Sequence, residues 1–232
     1  MLSLITGVGS KGQVGETVAE VLARRGDTVL VVSRDEQEVT ARAAELADHG
    51  FVAFGYACDL SDPQAVAGLE QRVQSQHGNR LDSLVNLAGG FGASGPLADS
   101  DPTAFDRQLR VNLTTAYLTT RAFLPHVRAS RGSVVFFASE AVLEGSRTSG
   151  VAAYVAAKSA VVALMRSVAD EGREHGFRAN ALAPTSIRTA SNVAAMGPDT
   201  KYIEREDVAS AVAFLCSPAA IAITGQVIRL RR

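Results

Sequence analysis

Tyr154 and Lys158 stand four residues apart in Tyr154-Val155-Ala156-Ala157-Lys158, a spacing that puts both side chains on one face of a helix. A free phenol titrates near 10, too high for efficient proton transfer at neutral pH, and an adjacent ammonium favours the phenolate and lowers that value. The pair therefore reads as a tuned general acid/base, with an ordinary helix-surface pair as the bland alternative. Of 23 basic residues only three are Lys (Lys11, Lys158, Lys201), and there are four Tyr, so chance puts such a pair in about one chain of this kind in twenty. A Lys in so Arg-rich a chain suggests a position where the larger, more basic guanidinium would not serve. Ser139 closes the apolar run Val134-Val135-Phe136-Phe137-Ala138, which places its hydroxyl at a strand tip. Asn112 interrupts an apolar helical face; a buried Asn needs partners, as a structural tie or as a relay. A phenol, a cation and a hydroxyl together suit the interconversion of a carbonyl and an alcohol.

A second group of residues suits a dinucleotide. Gly7, Gly9 and Gly12, with Gln13 and Val14 following, lie between a first strand and a first helix. Glycines there let backbone approach a pyrophosphate, and the helix N-terminus favours its charge; the alternative is a tight turn. Ser33 and Arg34 end the second strand, where an acidic residue would bind a ribose 2′-hydroxyl and an Arg accommodates a 2′-phosphate. This favours NADP(H), with NAD(H) the alternative, and leaves Asp35 to cap the next helix. Asp59, ending the third strand, is either an acceptor for an adenine amino group or a turn residue. In Asn86-Leu87-Ala88-Gly89-Gly90 small side chains either let a dinucleotide cross the strand tip or simply form a loop.

These residues need a scaffold that brings them to one edge, and the apolar pattern supplies it. Short β-branched runs, at Leu2–Ile5, Thr28–Val32, Phe51–Tyr56, Ser83–Leu87, Ser133–Phe137, Arg178–Leu182 and Val227–Leu230, alternate with six amphipathic stretches. Asp62-Pro63 and Asp101-Pro102 are helix starts, and Pro125 is expected to kink or end the second of those helices. Continuous Val/Ile/Leu runs suit strands buried on both faces. The fold expected is α/β, a doubly wound seven-stranded parallel sheet with helices on both faces, its ligand beyond the carboxyl ends of the strands. One domain over 1–232 follows from the length, with the irregular stretch 185–200 as a short substrate lid.

Composition excludes several other classes. The 232 residues are 47% hydrophobic and 20% charged with a net charge of −1, which argues against nucleic acid or an anionic membrane as partner. No uninterrupted apolar run approaches the ~18 residues of a membrane helix, and the first strand begins at Leu2, where a signal peptide would have to lie. Cys58 and Cys216 are far apart and read as reduced core residues of a cytoplasmic protein. The four histidines form no ligand cluster, and no Gly-x-Ser-x-Gly elbow points to a hydrolase.

Taken in order, the Thr6-Gly7 loop, Asp59-Leu60, Asn86-Leu87-Ala88-Gly89, Asn112, Ser139, Tyr154 with Lys158, Asn180 to Pro184, and Glu206 to Val227 resemble the short-chain dehydrogenase/reductase family along the whole chain. The resemblance implies a Rossmann-type fold and a homo-oligomer, tetramer or dimer, built on the two long central helices. It implies that Tyr154 protonates a substrate carbonyl as hydride leaves the nicotinamide. Lys158 would lower the Tyr pKa and hold the nicotinamide ribose, Ser139 would bind the carbonyl, and Asn112 would support a water relay. Leu60, Pro184, Ile187 and Thr189 would join the cofactor site, the last two against the carboxamide.

Two departures qualify it. The glycine loop is two residues longer than the usual pattern and resembles the enoyl-reductase branch, although the four-residue Tyr–Lys spacing resembles ketoreductases. The interval from Ser139 to Tyr154 is also two residues longer. The resemblance thus points to an NADP(H)-dependent ketoreductase similar to 3-oxoacyl-carrier-protein reductases, acting on a small carbonyl or alcohol. An NAD(H)-linked or enoyl-type reductase is the alternative, and a non-catalytic dinucleotide sensor is the alternative of another class.

Overall fold

Alternate residues of each strand point to opposite faces, and here both faces are covered. On β5 (Ser133–Phe137), Val134 and Phe136 enter one core cluster while Val135 and Phe137 enter the other. Leu4 and Ile5 divide in the same way on β1 (Leu2–Thr6). The strand sequences are continuously apolar for this reason. The computed structural model describes all 232 residues.

The remaining strands are β2 (Thr28–Ser33), β3 (Ala53–Ala57), β4 (Ser83–Asn86), β6 (Arg178–Pro184) and β7 (Val227–Leu230). All pair in parallel in the order β3-β2-β1-β4-β5-β6-β7. The order reverses direction between β1 and β4, so a crevice opens there at the carboxyl edge. One face is packed by α3 (Pro63–His77), α5 (Thr115–Ser130) and α6 (Ala152–His175), the other by α1 (Val14–Arg24), α2 (Glu36–Asp48) and α8 (Arg205–Leu215). Cys58 and Cys216 lie in opposite core clusters, both as free thiols that burial pushes up to about 11.

Helix starts follow their caps. Asp35, Asp62 and Asp101 each accept a first-turn backbone N–H at 2.9 Å, and Pro63 and Pro102 occupy first helical positions, where no N–H is needed. Asp35 is thus the helix cap expected.

Three expectations are corrected. Eight α-helices form rather than six, because the Asp101 segment divides and the stretch 185–200 contains a helix of its own. α4 (Pro102–Gln108) passes into a π-helical stretch at Leu109–Thr114 before α5; α7 (Ala190–Met196) starts where Thr189 Oγ1 accepts the Asn192 N–H at 3.2 Å. Pro125 does not end its helix, and α5 runs to Ser130, closing at left-handed Arg131 with φ 55°. β3 begins two residues later than expected, with Val52 offering only its carbonyl to Val29. α6, at 24 residues, is long and apolar enough to cross a membrane by length and composition, although Lys158 and Arg166 interrupt its apolar run as expected. In the fold it is the inner helix against β5 and β6, with Val161 and Met165 buried in the core.

Phe123, fully buried on α5, fills the layer between that helix and the sheet. Phe123→Ala should lower unfolding free energy by about 3–5 kcal/mol, as measured by urea denaturation; a loss below 1 kcal/mol would mean that this layer is not tightly packed.

Candidate active site at the carboxyl edge

The crevice is set by the contact of β1 with the tip of β4. Thr6 Oγ1 accepts the N–H groups of Leu87 and Ala88, each at 3.0 Å, and donates to Val85 O at 3.3 Å. Directly after it Gly7 adopts φ +77°, and a Cβ there would lie 2.9 Å from Ala88 N. Gly7 is therefore required both for its backbone angle and for close passage.

Past Gly7 the loop spreads against three neighbours. A Cβ on Gly9 would fall 2.6 Å from Ser33 Oγ and 2.7 Å from a Glu38 carboxylate oxygen, and Glu38 also accepts Ser10 Oγ at 2.9 Å. Gly12 donates its N–H to Glu16 at 2.7 Å. Glu16 is held in turn by Arg42 at 3.2 Å and by Arg205 at 3.4 Å. On the other side Gly12 O accepts the Ala190 N–H at 3.0 Å, and Gln13 Oε1 accepts from Ser191 Oγ at 3.1 Å. The added length of the loop is thus clamped between α1 and the start of α7.

The features of this loop fit a dinucleotide phosphate. α1 starts without a side-chain cap, which leaves first-turn N–H groups to an anion. Val14 and Leu60 turn their side chains into the core, so only their backbones remain for a ligand. Arg34 is exposed and in no ion pair. Asp59 lies near Arg34 and Arg110, and hydrogen bonds from the Ser61 hydroxyl and N–H, with the charge of both arginines, hold its carboxyl below the usual range.

Asn86 Nδ2 donates to Thr120 Oγ1 at 2.9 Å while its buried Oδ1 has no partner. Asn112 sits inside the π-helical stretch. Its Oδ1 accepts Gly90 N–H at 3.1 Å, and its Nδ2 donates to Gly90 O at 3.0 Å and to Gln108 Oε1 at 2.9 Å. A Cβ on Gly89 would meet Asn112 Oδ1 at 2.6 Å and Lys158 Nζ at 3.3 Å. The π-turn, a device common where a helix must re-aim a side chain, thereby ties the loop after β4 to the Lys158 side of the crevice.

Lys158 is buried and donates to Phe137 O at 2.8 Å, and loss of water pulls its ammonium down to about 8. Its Nζ lies 5.9 Å from the centre of the Tyr154 ring. Burial raises the Tyr154 phenol above its ordinary value, and the Ser139 hydroxyl facing it acts in the opposite direction. This corrects the expectation that Lys158 would lower the phenol: in the protein alone desolvation is the largest influence. Burial thus makes the phenol hold its proton more tightly than in water. Ser139 caps a short turn through Ala141 N–H at 3.2 Å, so the longer stretch to Tyr154 is absorbed in the loop after that turn.

Of the residues expected at the site, the edge brings together Gly7, Ala88, Gly89, Asn112, Ser139, Tyr154 and Lys158. Ser33 lies beside Gly9, while Arg34 and Asp59 form the outer flank. Pro184 is buried at the end of β6; Ile187 pairs with Ile203 and packs on the α1/α8 core, and Thr189 is occupied in capping α7. Sequence reasoning missed Glu16, Gln108 and Glu38. Glu16 and Gln108 each stand four residues from a site residue, Gly12 and Asn112, and that spacing was the available signal.

Unfolded, Lys158 keeps its proton up to about the ordinary 10.5, whereas folded it loses it near 8. Below pH 8 both states are charged and burial costs stability; between those values the unfolded chain binds the extra proton, so stability rises with pH. Lys158→Met should be more stable than the parent at pH 7, by at most about 3 kcal/mol, and the gap should shrink by pH 10. Urea unfolding at both pH values checks this, and a constant gap would contradict it.

Comparison with known proteins agrees with this geometry. A family model described as Enoyl-(Acyl carrier protein) reductase matches residues 7–230. The chain is 34% identical over 237 residues to tropinone reductase homolog At1g07440 of Arabidopsis thaliana, covering 97% of this chain and 87% of that protein. It is 33% identical over 244 residues to 2-(S)-hydroxypropyl-CoM dehydrogenase 3 of Xanthobacter autotrophicus, covering 95% and 91%. A solved short-chain type dehydrogenase/reductase from Mycobacterium ulcerans superposes with TM-score 0.90 at 31% identity, covering 99% of this chain and 87% of that one.

Proposed function

The chain belongs to the short-chain dehydrogenase/reductase family of NAD(P)-dependent oxidoreductases, and on that premise we propose that it reduces a small ketone to an alcohol with NADPH. The observation that carries this reading is the convergence of Ser139, Tyr154 and the buried Lys158 at one strand edge. The Ser139 hydroxyl holds the carbonyl oxygen. Tyr154 donates its proton to that oxygen as the carbonyl carbon is reduced, and the Lys158 charge favours the phenolate that forms. Lys158, fixed by Phe137 O, stabilises the phenolate left behind and holds the ribose. Asn112 holds Gly90 in place and serves the relay that returns a proton. The nicotinamide, when bound, supplies the hydride.

Gly7, Gly9, Gly12, Gln13 and the backbones of Val14 and Leu60 are assigned to the dinucleotide, with Asn86, Ala88 and Gly89 at its crossing point. Pro184, Ile187 and Thr189 are assigned to the nicotinamide end, and 185–200 to a lid over the substrate. Asp59 takes the adenine amino group, and Ser33 with Arg34 takes the 2′-phosphate. The 3-oxoacyl-carrier-protein reductases are the model for the substrate chemistry.

One observation favours the NAD(H) alternative: the Glu38 carboxylate stands beside Ser33 and would repel a 2′-phosphate unless Ser10 keeps it turned aside. The groove between α5 and α6, about 430 Å³ with Tyr117, Leu124, Leu164 and Val168 on its walls, supports association of copies through those helices. Two buried free thiols support a cytoplasmic location.

Tyr154→Phe should reduce ketone-dependent NADPH oxidation at least a thousandfold while leaving the coenzyme dissociation constant within twofold; undiminished turnover would refute the mechanism. A dinucleotide sensor would show tight coenzyme binding and no turnover in the parent across a ketone panel. Arg34→Ala should weaken NADPH binding about tenfold or more and NADH far less, as read by fluorescence titration. Equal losses would remove the 2′-phosphate role.

A further inference from the structure

Phe91 stands out among the residues not yet assigned a role. It is 69% exposed, yet its ring makes an edge contact with Tyr154, with centroids 5.1 Å apart and planes at 71°. A large apolar side chain left in water forgoes the stabilisation that burial would give it. Nothing in the chain covers the rest of this ring.

Phe91 is also held in position. On one side Gly90 is bound at both its N–H and its carbonyl by Asn112. On the other, the Ser94 and Gly95 N–H groups both reach Gly150 O, at 2.8 and 3.1 Å, just ahead of the helix that carries Tyr154. Between these anchors Gly92 lies flush on the Gln108 side chain, where any Cβ would collide with Nε2. The segment is thus pinned before, beside and after Phe91, and the pins come from the elements that place Asn112 and Tyr154. An exposed aromatic on a loop fixed this firmly is a prepared surface.

We propose that Phe91 is a specificity-determining residue: it forms the apolar wall of the carbonyl site and selects ketones bearing an aromatic or alicyclic ring next to the carbonyl. The inference rests on the reductase reading above and specifies its substrate class. A carbonyl oxygen held between Ser139 and Tyr154 brings its substituent beside the ring that touches Tyr154. A flat apolar ring there covers the exposed part of Phe91 and gains the offset or edge contact that aromatic pairs favour. A short linear substituent covers little of it.

The test compares acetophenone with 2-butanone in the parent, F91A and F91L. The acetophenone to 2-butanone ratio of kcat/KM should fall about tenfold in F91A, mainly through KM for acetophenone, and fall less in F91L; an aromatic contact supplies an effect of that size. The NADPH dissociation constant should stay within twofold in both variants. An unchanged ratio in F91A would overturn the proposal, as would an equal loss on both ketones.

A binding arm separates this inference from the reading beneath it. In the Tyr154→Phe protein with NADPH bound, which retains the ring that Phe91 touches, acetophenone affinity is measured with and without F91A. Phe91-dependent binding without turnover of any ketone by the parent would end the reductase reading and leave the ring-recognition role standing. Equal acetophenone affinity with and without Phe91 would end that role even if the parent proves an active reductase.

Discussion

The rest of the site depends on the hydroxyl of Thr6. One oxygen accepts two consecutive backbone N–H groups from the turn after β4 and donates back to β4, and so it sets how far apart the two strands can stand at the sheet's carboxyl edge. Gly7 completes the constraint, since its lack of a Cβ lets the first loop pass directly against Ala88. Once that distance is set, the segment after Ala88 has little freedom in where it emerges. Asn112 can reach Gly90, and Gly89 can lie beside both Asn112 and Lys158. The same junction is the point at which the strand order reverses, so the place where a ligand can enter is also the place held most tightly.

The electrostatics follow from that tightness. Because the crevice wall excludes water, Lys158 keeps its charge only against a desolvation cost, with one carbonyl as partner. The same dryness holds the Tyr154 proton on its oxygen. Sequence spacing suggests a cation that lowers a phenol; the folded protein shows both groups pushed toward neutrality. The two statements describe different stages. In the proposed reduction the phenol starts protonated, and the ammonium would matter most once phenolate begins to form. A lysine is suited to this because its affinity for a proton shifts with environment, where a guanidinium would stay fully charged.

Much of this was legible in the chain because the relevant signals are local. Alternating strands and helices, Asp-Pro helix starts and the Tyr–Lys spacing each depend on neighbours in sequence, and each corresponds to an element found. The parts that were not legible depend on contacts between distant residues. The π-helical stretch around Asn112 accompanies its hydrogen bonds to Gly90, 22 residues earlier. α5 continues past Pro125 although the ring cannot donate a hydrogen bond there. The helix in the stretch 185–200 looked irregular because its seven residues carry weak apolar periodicity; its Thr189 cap shows only once the chain is folded. Phe91 is not identifiable from its sequence context of glycines, since its role comes from what it touches 63 residues later.

The longer glycine loop shows how a local irregularity can be absorbed by distant supports. Two added residues at a phosphate loop would ordinarily add freedom where rigidity is needed, because every unconstrained residue must be ordered when a ligand binds. Here Gly12 is gripped from both sides: its N–H by Glu16, which Arg42 and Arg205 hold in turn, and its carbonyl by Ala190. Gln13 is tied to Ser191. Glu16 brings α2 and α8 to the loop, and Ala190 and Ser191 bring the segment that follows β6. The loop that fits the phosphates and the segment assigned as a lid are therefore one mechanical unit. A displacement of α7 must draw on Gly12 O and Gln13, and a displacement of the glycine loop must draw equally on Ala190 and Ser191.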